Sequence, residues 1–155
     1  MSFRLSTEAR SYYRQINEKS TTNELDTLWD RYYLSAMAGI KDRSRVPDDE
    51  EPGPDQEFVD DVIQDYESQK YEIYSSLIVA EINREGIPWE EKEEIKQLMM
   101  RLLDSESNTR LSSYGTQVLN CYAEKGFRLI RSEITAPPQL DEFLELYHEL
   151  LKNLD

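Results

Sequence analysis

Apolar residues recur at intervals of three and four along most of this chain, a spacing typical of amphipathic helices. The first such stretch predicts a helix over Thr7–Lys19, with Ser6 as its N-cap. The second follows the capping-box pattern of Thr21 and Glu24, and we expect Gly39 to be its C-terminal cap. No stretch alternates between apolar and polar positions as a β-strand would. The pattern therefore favours a chain built from helices.

Two further helices follow from the same spacing in the middle of the chain. A long third helix is predicted over Phe58–Ile82, with an interruption near Glu67–Gln69 and an end at Gly86. Pro88 is expected in the first turn of the fourth helix, where its missing N–H costs nothing. The buried stripe predicted for this fourth helix comprises Ile95, Leu98, Met99, Leu102 and Leu103.

The fifth helix is predicted over Thr109–Glu133 and is expected to continue through Gly126. Gly115 also lies inside its pattern, and both glycines would allow another helix to approach closely. A sixth amphipathic helix is predicted over Leu140–Leu154. Together these elements predict an all-α fold, a compact bundle of about six helices in a single helical domain over residues 1–155.

The clearest break in the helical pattern is the segment 41–54, which we predict to be a flexible acidic loop after the second helix. Three prolines and a glycine within residues 47–54 exclude a regular helix there. Glu57 and Phe58, which follow, are interpreted as the start of the third helix. Residues 135–155 are expected to form a C-terminal helical extension.

The net charge of −14 is distributed unevenly along the chain. Residues 46–107 hold five basic and nineteen acidic side chains, whereas residues 1–45 and 108–134 are each net +2. Strong acidity disfavours broad binding to DNA or anionic membranes, because phosphate contacts require Lys and Arg. The same acidity, with eleven Arg to seven Lys, is also typical of a protein from a salt-loving host.

The content of Cys and His limits both compartment and chemistry. Cys121 is the one cysteine, so no internal disulfide can form, and the first residues lack the apolar segment of a signal peptide. We therefore expect a cytoplasmic protein with no membrane association. Cys121 is predicted to be a small buried hydrophobe, and His148, the one histidine, to be partly buried and structural.

The sequence predicts no catalytic residue, metal site or cofactor. A carboxylate metal site in a helical bundle needs Glu-x-x-His pairs on facing helices, and Glu145 precedes His148 at that spacing only once. Most of the ten tyrosines fall on helix stripes, so core packing explains them better than base stacking. The carboxylates considered as metal ligands are Glu90, Glu94, Asp60, Asp61 and Asp65.

Basic residues are the remaining candidates for chemistry. Arg10 and Arg14 lie four positions apart on one side of the first helix, and Lys125, Arg128 and Arg131 share a side of the fifth. If these two helices are neighbours, their cations form a local positive patch able to contact phosphates. The alternative is ordinary surface charge paired with nearby carboxylates.

The order of features along the chain resembles the DndE family, small helical proteins of bacterial DNA phosphorothioation systems. The likeness rests on "FRLSTEARSYYRQINEKSTTNELDTLWDRYYLSAMAGI", a Pro- and Asp-rich break followed by Glu57 and Phe58, then "YSSLIVAEI" and "YAEKGFRLIR". It covers roughly Ser2–Arg131. This chain departs from the family in its net charge of −14 and in the acidic helix beyond Arg131.

The resemblance implies an all-helical protein that works beside the sulfur-transfer and ATPase subunits of a modification complex. It also implies self-association and contact with DNA at nicks through a basic surface. The positions of this sequence that would contact DNA are Arg10, Arg14, Lys19, Lys125, Arg128 and Arg131.

Three hypotheses for function follow. The first is a non-enzymatic accessory subunit of a DNA-modification or phage-defence complex that binds protein partners and DNA. The second is an acidic protein-interaction or nucleic-acid-mimicking regulatory protein, motivated by the charge of residues 46–107. The third is a small helical enzyme that uses carboxylates.

Overall fold

The structure, a computed structural model, describes residues 3–21, 25, 27–59 and 66–154. This part of the chain is a bundle of six helices with almost no strand, which confirms the predicted all-α fold. The helices are α1 (Thr7–Lys19), α2 (Leu28–Asp42), α3 (Lys70–Glu85), α4 (Lys92–Leu102), α5 (Ser113–Glu133) and α6 (Leu140–Asn153). The strands are β1 (Phe3–Arg4) and β2 (Glu57–Val59), and the short 3-10 helices are Asp48–Glu50 and Pro54–Gln56. We call residues 43–56, which join α2 to β2, the strap.

The centre of the bundle is the packing of α2 against α5, and glycines make it close. A Cβ on Gly126 would lie 1.7 Å from the Ser35 carbonyl oxygen, and one on Gly39 would lie 2.0 Å from the Tyr122 carbonyl oxygen. Gly126 therefore lies inside α5 as predicted. The prediction that Gly39 caps α2 is wrong, because its missing side chain serves helix packing and α2 continues to Asp42.

Aromatic side chains fill the space around this helix pair. The Phe3 ring meets Trp29 edge-on at 4.9 Å, and the Trp29 and Tyr32 rings are 5.2 Å apart. On the other side of α1, the Tyr12 ring packs against Phe127 at 5.8 Å. Most tyrosines are buried as predicted: Tyr12, Tyr13, Tyr32, Tyr74, Tyr122 and Tyr147.

The start of α1 matches the prediction and the start of α2 does not. Ser6 caps α1, since its Oγ accepts from the Ala9 N–H at 3.2 Å. The capping box of α2 is formed by Thr27 and Asp30, each side chain accepting from the other's backbone N–H at 3.1 Å. The Glu24 of the predicted capping box lies outside the described residues.

The predicted long third helix is wrong at its start. Residues 57–59 form β2, which pairs antiparallel with β1. Phe58 explains this choice, because the strand places its ring 5.4 Å from Tyr32 in the aromatic core. Residues 60–65 lie outside the described part of the chain. The helix α3 begins at Lys70 and ends at Glu85, and its C-cap Gly86 has a φ of 69°, which is left-handed as the predicted cap requires.

Helices α4 and α5 begin later than predicted. Residues 88–91 form a turn, and α4 starts at Lys92. Met99 is 39% exposed, so the predicted stripe narrows to a buried Leu98 and Leu102 flanked by half-buried side chains. The N-cap of α5 is Ser112, whose Oγ accepts from the Gly115 N–H at 2.9 Å.

The C-terminal helix α6 completes the core. Phe143 lies 6.2 Å from the Tyr12 ring, and the Tyr147 hydroxyl donates to the Leu34 carbonyl at 2.7 Å. Because these contacts reach α1 and α2, the extension predicted over residues 135–155 is integral to the bundle as far as residue 154. No helix in the described ranges combines the length and apolarity needed to cross a bilayer.

Candidate binding surfaces

Two of the cations predicted for DNA contact on α1 are bonded to the chain itself. The Arg10 guanidinium donates to the backbone carbonyls of Leu5 at 2.9 Å and Gln56 at 2.5 Å. These bonds fasten α1 to the strap. The Lys19 ammonium donates to the Pro137 carbonyl at 2.5 Å and fastens α1 to the segment that leads into α6. Both side chains were predicted to contact phosphates, and both instead bind backbone carbonyls of this chain.

On α5, Arg128 is held by two carboxylates. Its Nε lies 2.9 Å from Glu124 on the same helix, and its Nη1 lies 2.7 Å from Glu50 of the strap. The hydrogen bond to Glu50 raises the pKa of Arg128 above its ordinary value. The strap therefore supplies one of the two carboxylates that pair with the positive charge of Arg128, a residue predicted to contact DNA.

The other three predicted cations are Arg14, Lys125 and Arg131. None of their side chains forms a hydrogen bond or ion pair with a residue that the structure describes, and the Arg131 guanidinium lies 5.0 Å from the Phe127 ring centre. Since Phe127 also contacts Tyr12, α1 and α5 are neighbours, as the predicted patch requires. Three of the six cations are nevertheless committed to contacts within the chain.

A groove of about 580 Å³ lies between the strap, the start of α1 and α5, and we call it the polar groove. Five carboxylates and two guanidinium groups line it, so its charge favours a cation over a phosphate. The charged lining residues are Glu8, Asp49, Glu50, Glu51, Glu124, Arg128 and Arg131. The surface predicted to be basic is therefore net acidic at this groove.

A buried ion pair anchors the first part of the strap. The Arg45 Nε lies 3.3 Å from the Glu81 carboxylate of α3, and the two side chains are 4% and 0% exposed. The Tyr122 hydroxyl donates to the same carboxylate at 2.7 Å, and Asp48 contacts the Arg45 Nη1 at 2.8 Å. Burial alone lowers the pKa of Arg45, but Glu81 and Asp48 outweigh it and raise that pKa.

A second anchor holds the strap near its end. The Glu51 carboxylate pairs with Arg4 of β1 at 3.3 Å and accepts from the Asn120 amide at 2.8 Å. Asn120 is fully buried on α5, and its Oδ1 accepts from the Tyr32 hydroxyl at 2.7 Å. The segment predicted to be a flexible loop is thus bonded to β1, α3 and α5.

The residues of both anchors were not predicted from the sequence, although a signal for one was present. Glu81 stands four positions after Leu77 and seven after Tyr74, so it occupies the buried face of α3. A carboxylate on an apolar stripe requires a buried partner. Which residue supplies that partner was not readable, because Arg45 lies 36 positions away and outside a helix.

The two residues weighed as nucleophile or base have different surroundings. Cys121 is fully buried beside the Pro47 carbonyl, and burial raises the pKa of its thiol to about 12, so the thiol stays protonated at neutral pH. The prediction of a buried Cys121 is confirmed. His148 is exposed on α6, so its predicted partial burial is wrong. It follows Tyr147, which occupies the buried stripe, and points away from that stripe.

The carboxylates considered as metal ligands do not converge in the described structure. Glu90 and Glu94 are exposed near the start of α4, and Asp60, Asp61 and Asp65 lie outside the described residues. Within residues 3–21, 25, 27–59 and 66–154, no group of three or more His, Cys, Asp or Glu side chains could hold a metal ion.

A second groove, of about 620 Å³, lies between the end of α2, α3 and the end of α6. We call it the apolar groove. Its floor and walls are mostly aliphatic, with Val79 40% exposed, and charged residues stand at the end of α2. The lining residues are Met37, Ile40, Lys41, Asp42, Arg43, Ser75, Ser76, Val79, Ala80 and Leu154.

In comparisons with protein-family models, curated proteins and solved structures, nothing matches this chain. The resemblance to the DndE family therefore stays a prediction from the order of sequence features.

Proposed function

We propose that this chain is a non-enzymatic accessory subunit of a DNA-modification and phage-defence complex, in which it binds protein partners. The observation that supports the proposal is the difference between the cations predicted to contact DNA and the apolar groove. Arg10, Lys19 and Arg128 are bonded within the chain, whereas the apolar groove is open. An open apolar groove is typical of a surface that receives another protein. The shared order of features with the DndE family supports placing that partner in a modification complex.

Contact with DNA is a smaller part of this proposal than binding to protein. The side chains that would contact DNA are Arg14, Lys125 and Arg131, whose charges are available to a ligand. Arg131 borders the polar groove, whose carboxylates repel phosphate. DNA is therefore expected to bind weakly without the partner subunits, and more strongly at low salt.

Purification of the tagged chain from its native host tests the proposal. We expect the sulfur-transfer and ATPase subunits of a modification system to co-elute, identified by mass spectrometry. Deletion of the gene should also abolish phosphorothioate in the host DNA. A chain that elutes alone, from a host whose DNA modification is unaffected by the deletion, would refute the proposal.

The exposed carboxylates of the strap favour a second function. In it, the chain is an acidic regulator that competes with nucleic acid for a basic protein. Asp49 and Glu50 are exposed on a 3-10 helix that the two anchors hold in place. The test is the pair Asp49→Asn and Glu50→Gln, which keeps Glu51 and its bond to Arg4. Weaker binding to a basic partner would support this function, and unchanged affinity would count against it.

A further inference from the structure

We propose that the apolar groove is the docking site for an acidic amphipathic helix of a protein partner. The inference rests on the proposed function, because it assigns the protein-binding step of that function to one surface. The shape of the groove and the charge at its rim are the observations behind it.

The groove has the size and lining of a helix-binding site. Its volume of about 620 Å³ falls within the range of sites that enclose several apolar groups. On the α3 side it is bordered by Ser75, Ser76 and Val79, which are small and uncharged. Small side chains let a second helix approach closely and insert apolar residues between α2 and α3.

The rim carries positive charge on a protein that is otherwise strongly acidic. Lys41 and Arg43 stand at the end of α2 and are both exposed. Among the residues that line the groove, the one carboxylate is Asp42, which accepts a hydrogen bond from the Ser44 hydroxyl. The Arg43 guanidinium forms no hydrogen bond or ion pair with the described residues. A complementary partner therefore presents carboxylates next to its apolar side chains.

Arg43 ends α2 with a left-handed backbone. Its φ is 58°, its N–H is bonded to the Ile40 carbonyl at 3.0 Å, and the Ser44 N–H is bonded to the Gly39 carbonyl at 3.3 Å. This left-handed position favours glycine. Replacing Arg43 by glycine therefore removes the guanidinium without straining the backbone.

The occupant follows from these features. A helix that lies in the groove directs residues at every third or fourth position toward Ile40 and Val79. Carboxylates on its flank then reach Arg43. A basic helix would meet repulsion at the same rim.

The probe is a synthetic helical peptide with leucines on one face and glutamates beside them, compared with a peptide carrying lysines in place of the glutamates. Fluorescence anisotropy should show the acidic peptide binding about tenfold more tightly, with the difference shrinking at high salt. Isotope-labelled protein should show NMR shift changes at Val79 and Ala80. Equal affinity for the two peptides, or no binding of either, overturns the proposal.

Two variants locate the binding. Arg43→Gly should preserve or raise stability and weaken the acidic peptide about fivefold. Arg110→Gly is the matched control, because Arg110 also has a positive φ, of 70°, but does not line the groove. Unchanged affinity in Arg43→Gly, or equal losses in both variants, contradicts the proposal.

Val79→Asp separates the remaining outcomes, since Val79 is partly exposed and its replacement should be tolerated by the fold. The variant should lose the acidic peptide and the co-eluting subunits. If it keeps the subunits, the groove is not their docking site, and the proposed function stands. If wild-type protein binds the peptide but no modification subunit, the proposed function fails alone. A concentration-dependent dimer in sedimentation that Val79→Asp abolishes would assign the groove to a second copy and overturn the proposal.

Discussion

Arg45 of the strap and Glu81 of α3 form an ion pair at 3.3 Å inside the bundle, with side chains 4% and 0% exposed. The pair is compensated there by the Tyr122 hydroxyl and by Asp48. Because this pair holds the strap against the bundle, the acidic surface of the strap has a fixed place relative to α5.

Glu81→Gln should destabilise the protein by about 3 kcal/mol or more, because it leaves Arg45 as a buried cation without its main partner. Urea unfolding followed by circular dichroism measures this. The matched control is Glu85→Gln, which breaks an exposed pair with Arg101 at a similar distance, 3.2 Å. That change should cost less than about 1 kcal/mol. Similar losses in the two variants would contradict the buried anchor.

Gly126→Ala should destabilise the protein by about 3 kcal/mol or more, because the added Cβ would lie 1.7 Å from the Ser35 carbonyl and force α2 and α5 apart. Gly86→Ala is the comparison, since nothing lies within 4 Å of its Cβ position and its φ of 69° alone opposes the substitution. It should cost about 1 kcal/mol. Thermal unfolding of both variants gives the ranking, and a smaller loss in Gly126→Ala would contradict the close helix contact.

Local signals predicted much of this fold. Periodicity located all six described helices, and the N-cap Ser6, the end at Gly86 and the continuation through Gly126 needed only nearby residues. Strand β2 was missed because Glu57 and Val59 pair with β1, more than fifty positions earlier, and three residues are too few to show alternation. A local pattern carries no information on such a partner.

The candidate surfaces were predicted less well, for a related reason. Spacing placed Arg10 on the first helix and Arg128 on the fifth, but it could not show that backbone carbonyls and Glu50 satisfy them. Residues of the apolar groove come from α2, α3 and the end of α6, which only the tertiary fold brings together. Arg43 gave no signal, because its place at the rim of this groove cannot be read from spacing.

Stability should fall as the pH rises above about 9. Burial keeps several acidic groups protonated in the folded state, whereas the same groups release their protons in the unfolded state. Burial raises the pKa of Cys121 to about 12, whereas the unfolded thiol ionises near pH 8.5. Between these values the unfolded state binds fewer protons than the folded state, so the free energy of unfolding falls as the pH rises. The contribution of Cys121 to stability is lost as the pH approaches 12. Buried tyrosines such as Tyr147 add to the loss from about pH 10 upward, since burial raises their pKa as well.

Urea midpoints measured from pH 8 to pH 10.5 check this dependence. Cys121→Ala removes the thiol and should flatten the decline just above pH 9, with the tyrosine contribution kept. Native Cys121 should also react with a thiol reagent only after unfolding, because it is fully buried. A constant midpoint across this range would contradict the raised pKa values.

DNA binding should increase when the strap loses charge next to Arg128. The double change Asp49→Asn and Glu50→Gln removes two negative charges from the polar groove, including the charge of Glu50 that lies 2.7 Å from the Arg128 guanidinium. Fluorescence anisotropy with a nicked duplex at low salt should show about tenfold tighter binding than wild type, and a steeper salt dependence.

Glu93→Gln with Glu94→Gln is the control, because it changes the net charge equally on α4, away from the polar groove. This control should improve DNA binding less, because Glu93 and Glu94 do not line the polar groove that contains Arg128. Adding Arg128→Ala to the strap variant should remove the gain. If the strap and α4 variants bind DNA equally, only net charge opposes binding, and the contact between Glu50 and Arg128 plays no part in it.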